Sequence, residues 1–179
     1  MSSRGISKSL PKPSTAVAGP PTRNTSLSLE PGAVYVTVFS MAKKSSYHWA
    51  IVVATSNRSG IMYHNTNQGA GFYFEPYLHP HLLNSASFLA AIKVSTLTSY
   101  TRDFHTHFLA SVKEVPVEGR TCRTWVLDAL YEQGLIGLQP NKAKIIEIET
   151  EVLNYAMAAS GPGNRNAART VVASRHFTA

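Results

Sequence analysis

The sequence of 179 residues holds one cysteine and seven histidines, the side chains best suited to nucleophilic and proton-transfer chemistry near neutral pH. The cysteine lies in Thr121-Cys122-Arg123-Thr124-Trp125-Val126-Leu127-Asp128-Ala129-Leu130. Cys122, Trp125, Val126, Ala129 and Leu130 fall at helical spacing, Thr121 is a capping residue type and Gly134 a stop. This pattern predicts a short amphipathic helix with Cys122 in its first turn, facing inward. A thiol there is acidified by the unpaired N–H groups and dipole of the helix, which favour thiolate over thiol. The same placement also suits an ordinary core cysteine.

A nucleophilic thiol needs an imidazole to take its proton and a further polar group to fix the tautomer of that imidazole. Three predicted strands position the candidates. After the turn signal Pro31-Gly32, Ala33 to Phe39 is a β-branched run, and Tyr47 to Thr55 is apolar on both faces, as in a central strand. Ile61 to Asn65 returns after the turn chemistry of Ser56 to Gly60, which makes an antiparallel hairpin. His48 shares a face with Ala50, Val52 and Ala54, and His64 shares one with Met62. A loop spanning about Val53 to Ser59 sets His48 opposite His64, whereas a turn centred on Arg58 offsets them by four residues. Cys122, His48 and His64 would then be nucleophile, base and orienting group. Arg120 and Arg123, near the helix start, could hold a substrate carboxylate or keep the thiolate charged, and with Trp49 and Trp125 they complete the candidate substrate-binding set.

Tyr47-His48-Trp49-Ala50-Ile51-Val52-Val53, a turn, and Gly60-Ile61-Met62-Tyr63-His64 resemble the circularly permuted papain-like proteins, the NlpC/P60-like and lecithin:retinol acyltransferase-like group. In that group a His-Trp-Ala-type strand pairs with a strand ending in His, and a later helix begins with Cys, followed by an aromatic and a valine. Thr121-Cys122-Arg123-Thr124-Trp125-Val126 is similar to this last element, and histidine before cysteine is the permuted order. The chain is also similar to a group of uncharacterised fungal proteins with a His-Trp strand and a Cys-Arg-x-Trp-Val helix. The resemblance covers about residues 33–136 and implies a cysteine hydrolase or acyltransferase. Where the acyltransferases have Asn before the cysteine and Glu-His-Phe-Val after it, this chain has Thr121 and Arg123-Thr124-Trp125-Val126, so phospholipid or retinol chemistry does not carry over.

Elsewhere, Gln68 to Pro76 reads as a Gly-rich turn and a short aromatic strand, Phe72 to Phe74, and Ser87 to Thr98 as a strand or a helix. Ser99 to Val112 and Asn141 to Ala159 read as helices. His79 and His81, one residue apart, point to opposite sides of an extended chain, and His105 and His107 lie on different faces of a helix, where they are reserve bases. With one cysteine, no multi-thiolate zinc site or intramolecular disulfide forms, and neither metal nor cofactor is expected.

The expected fold class is α+β, an antiparallel sheet with flanking helices. Residues 1–29 form a Ser/Pro-rich tail, 30–159 one domain and 160–179 a basic tail. The formal charge of +7 lies wholly in the tails: Arg4, Lys8, Lys12, Arg23, Arg165, Arg169 and Arg175 face no acid there, while ten bases balance ten acids in 30–159. No nucleic-acid partner is therefore expected. The first tail has some transit-peptide composition, but Pro11, Pro13, Pro20 and Pro21 break an amphipathic helix. No apolar run has spanning length, so no stable membrane insertion is expected, and the chain reads as cytoplasmic. No pattern defines an oligomeric state. The functional expectation is cysteine-dependent acyl transfer on a small molecule or peptide, with a role in specialised metabolism, against a non-catalytic binding protein of the same fold.

Overall fold

The computed structural model describes residues 27–43, 45–67, 69, 71–96, 102–132, 142–160 and 169–176. Residues 1–26 of the predicted tail, and Gly134, lie outside them. The elements are β1 (Ala33–Ser40), β2 (Tyr47–Ala54), β3 (Gly60–Asn67), β4 (Phe72–His79), β5 (Phe88–Thr96), α1 (Arg102–Lys113), α2 (Cys122–Glu132), α3 (Lys142–Ser160) and β6 (Thr170–Ala173). One sheet has the order β4-β3-β2-β1-β5-β6, antiparallel throughout except for the parallel β5–β6 pair. The protein is α+β, as its β-branched runs and later helical periodicities require.

β2 lies inside the sheet because both of its faces are apolar. Trp49, Ile51 and Val53 join the core beneath the three helices, with Val36 and Val38 of β1, Ile92 of β5, Trp125 and Leu130 of α2, and Ile148 and Val152 of α3. Ala50, Val52 and Ala54 face the other way, toward Tyr35, Phe39, Met62, Leu82 and Leu83. The sheet thus carries a thick helical layer on one face and a thin cover of Leu29 and a 3₁₀ turn, Leu82–Asn84, on the other.

Several boundaries differ from the sequence reading. The segment left between strand and helix is β5, and the aromatic strand beginning at Phe72 runs on through Pro76 to His79. Proline is tolerated in β4 because β4 is a sheet edge, where a missing N–H need not break a ladder. Leu29, the last residue assigned to the N-terminal tail, is buried, and its N–H donates to Asn57 O at 2.9 Å. The basic C-terminal segment supplies β6, whose end is anchored by buried Ser174, donating from Oγ to Glu151 Oε2 at 2.6 Å and from N to Lys93 O at 2.9 Å. A four-residue strand in a polar context leaves too short a pattern for composition to detect. Among the described residues, no helix is long and apolar enough to cross a membrane.

The β2–β3 hairpin closes at Ala54 opposite Gly60, which makes the loop Thr55 to Ser59. His48 and His64 are therefore not directly opposite. Extending the register sets His48 against Thr66, and His64 becomes its diagonal neighbour on the same face. The ladder between these strands covers only Ile51–Ala54 with Gly60–Tyr63, although each strand is eight residues long. Their far halves part, and the start of α2 touches both: Cys122 Sγ donates to Tyr47 O at 3.8 Å, and Asn65 Nδ2 donates to Arg120 O at 2.9 Å.

Candidate active site

The cysteine helix begins as its residue types dictate. Thr121 N donates to Thr124 Oγ1 at 2.9 Å and Thr124 N donates to Thr121 Oγ1 at 3.3 Å, a reciprocal cap that satisfies two donors at the helix start. Trp125, Val126, Ala129 and Leu130 are fully buried and fix the helix on the sheet. Trp125 Nε1 donates to Val115 O at 3.3 Å, so the indole is anchored at its polar end too. Cys122 sits in the first turn with 9% of its surface exposed.

On the opposite face of the sheet the two histidines meet. His48 Nε2 and His64 Nδ1 are 2.6 Å apart, with ring centroids at 4.8 Å and planes at 80°. Hydrogen bonding between diagonal neighbours thus does what direct opposition was expected to do. Burial lowers both imidazoles to about 4, with His64 adding a coulombic contribution at His48, so each ring is neutral at pH 7. His64 is buried, and its Nε2 has no hydrogen-bond partner, yet it lies 3.6 Å from Glu75 Oε2. Glu75 stands directly across from His64 in the β3–β4 ladder. Nothing in the sequence singled it out, because its role depends on a register that spacing alone does not supply.

A neutral imidazole carries one N–H, and the partner of one nitrogen decides where it sits. A proton on His64 Nε2, facing the Glu75 carboxylate, leaves His64 Nδ1 as an acceptor. His48 Nε2 then donates to it, and the basic lone pair of His48 is on Nδ1. Glu75, His64 and His48 thereby line up so that His48 can be held in one tautomer.

The structure does not hydrogen-bond Cys122 to this chain: the Sγ partner is the Tyr47 carbonyl, one residue from His48. Tyr47 and Trp49 pack toward the helices, while His48 packs toward Phe39, with ring centroids 6.4 Å apart. Thiol and imidazoles therefore approach β2 from opposite sides at the place where β3 leaves it. Trp49 and Trp125, expected at the substrate, are instead wholly buried in the core, where large apolar rings gain most. Arg120 bonds Asp128, and Arg123 bonds Glu149 at 2.7 Å and lies 5.7 Å from the Trp49 ring centroid. Both guanidinium groups thus have internal carboxylates where a substrate carboxylate was expected. His105, of the two reserve bases, bonds Tyr63 Oη at 3.2 Å, and His107 is exposed. Among the described residues, no group of three or more His, Cys, Asp or Glu side chains could hold a metal ion.

Residues 34–137, more than half of the chain, match the family model described as Family of unknown function (DUF6540). The chain belongs to this family. The matched DUF6540 segment contains the whole hairpin, Glu75 and α2. No curated protein matches the chain, and no solved structure does.

Proposed function

We propose that this DUF6540 chain is a cysteine-dependent acyl-transfer enzyme with Cys122 as nucleophile, His48 as base and His64 and Glu75 as positioning residues. One observation carries the reading: a histidine–histidine–carboxylate chain ends one residue from the carbonyl on which the thiol of a helix N-terminus rests. In this reading Cys122 exchanges its bond to Tyr47 O for one to His48 Nδ1, through the gap between β2 and β3. His48 takes the thiol proton as sulfur bonds to the acyl carbon, and N–H groups at the start of α2 stabilise the oxyanion. The imidazolium returns the proton to the leaving group, and water or an amine resolves the thioester. The chain order of His48, His64 and Cys122 supports the circularly permuted papain-like fold as the matching architecture. A small molecule or peptide is the substrate class, specialised metabolism a fitting setting, and the reducing cytoplasm the compartment that keeps the thiol free.

The second reading is a binding protein of the same fold, favoured by the thiol–carbonyl bond and by the opposed faces of Cys122 and His48. Incubation with p-nitrophenyl acetate followed by intact-mass measurement separates the two. The enzyme reading predicts one acetyl group on Cys122, none in Cys122→Ser, and acetylation slowed about 100-fold in His48→Ala, the usual contribution of a general base. Acetylation at equal rates in wild type and His48→Ala contradicts it.

A further inference from the structure

Buried polar atoms are almost always hydrogen-bonded, and each exception calls for an explanation. Three side-chain nitrogen or oxygen atoms among the described residues are buried without one: His64 Nε2, Asn65 Oδ1 and His79 Nδ1. Two of the three belong to consecutive residues of β3, in the half of the strand that has left β2. His64 Nε2 faces Glu75. Asn65 points the other way, to the helical face, and is 0% exposed. Its Nδ2 donates to Arg120 O at 2.9 Å, which fixes the carboxamide against the loop two residues before Cys122. Its Oδ1, an acceptor that gains nothing from that bond, is left over beside the start of α2.

We propose that Asn65 determines specificity: Oδ1 accepts an N–H from the group attached to the carbonyl under attack, so the site prefers primary and secondary amides to esters and tertiary amides. The inference rests on Cys122 being the reactive thiol of the preceding reading. A clamp on the Arg120 loop would need only Nδ2. Leaving the acceptor half of a fully buried carboxamide without a donor is a cost that a substrate N–H relieves and an ester oxygen does not.

The test compares three alkylating reagents on full-length protein: 2-iodoacetamide, methyl iodoacetate and N,N-dimethyl-2-iodoacetamide. In each the thiolate sulfur bonds to the methylene carbon and iodide leaves, and only the first carries an N–H. Rates are divided by those of N-acetylcysteine with the same reagent. The proposal predicts that Cys122 favours 2-iodoacetamide over both other reagents by about 3- to 10-fold, the value of one hydrogen bond. The preference falls to about one in Asn65→Leu. A normalised ratio of one in wild type overturns the assignment whether or not the variant folds. Discrimination against the bulkier dimethyl reagent alone also overturns it, because size would then be the cause, as does a folded Asn65→Leu that keeps the wild-type preference. The absolute rates and their pH dependence report thiol activation separately, so failure of the nucleophile reading shows in a different quantity.

Discussion

His48 and His64 are held neutral by burial, which lowers both from 6.5 to about 4. Between these values the unfolded chain binds more protons than the folded one, so the contribution of the pair is intact above pH 6.5 and is lost as pH falls toward 4. His79 and His105, also lowered by burial, act in the same direction. Urea midpoints measured from pH 7 to pH 4.5 should fall steadily in wild type and fall less steeply in His64→Gln, which removes one of the buried imidazoles. Equal slopes would mean that the pair is not desolvated as described. The residue types of this site were legible in the sequence: one cysteine at a helix start, and two histidines on hairpin strands. Glu75 and Asn65 were not, since a carboxylate or a carboxamide on a strand acquires a role only from the residues across the ladder and the loop that reaches it.

The hairpin is the element on which the site depends, and Gly60 is its tightest point. A Cβ built there would lie 2.5 Å from Val52 Cγ1 and 2.9 Å from Val53 O. Because Gly60 pairs with Ala54 and closes the loop, relief requires the Val52 side chain and the Val53 backbone of β2 to move away from β3. Gly60→Ala is therefore expected to cost about 1–3 kcal/mol, the ordinary penalty of overpacking, read as a lower urea midpoint with an unchanged slope. A midpoint equal to that of wild type would show that the turn has room. The existence of β1, β2, β3 and the three helices was legible from β-branched runs and helical spacing, and β2 was placed at the interior by its two apolar faces, whereas β5 stayed open between strand and helix and β6 was read as tail. Register was not. A shift of one residue pair at the turn moves a partner two positions along the facing strand, and the polar turn from Ser56 to Gly60 accommodates several closures. Nor could spacing reveal that the ladder ends at Ile51, where Cys122 of α2, far along the chain, bonds Tyr47 O.

For the molecule as a whole, the sheet separates the two halves of the proposed chemistry. The helical face carries the thiol and the thin face carries the imidazole chain, and they approach β2 from opposite sides at Tyr47 and His48, beyond the last pair of the β2–β3 ladder. Of the seven excess positive charges, Arg4, Lys8, Lys12, Arg23 and Arg165 lie outside the described residues, while Arg169 and Arg175 flank β6, where Arg169 donates to Leu83 O and Arg175 pairs with Glu151. Composition had assigned the C-terminal segment to a tail, yet β6 and the Ser174–Glu151 bond tie it to β5 and α3, with buried Glu151 also accepting from Arg175 N. The central claim is that the thiol and the histidine chain act as one unit across that junction. The most direct measurement is the rate of Cys122 alkylation by iodoacetamide against pH, in wild type and in His48→Ala. The account predicts that wild type is labelled about 100-fold faster than the variant at pH 7, the usual contribution of a general base. Equal and slow labelling of both proteins would contradict it and leave Cys122 a core residue.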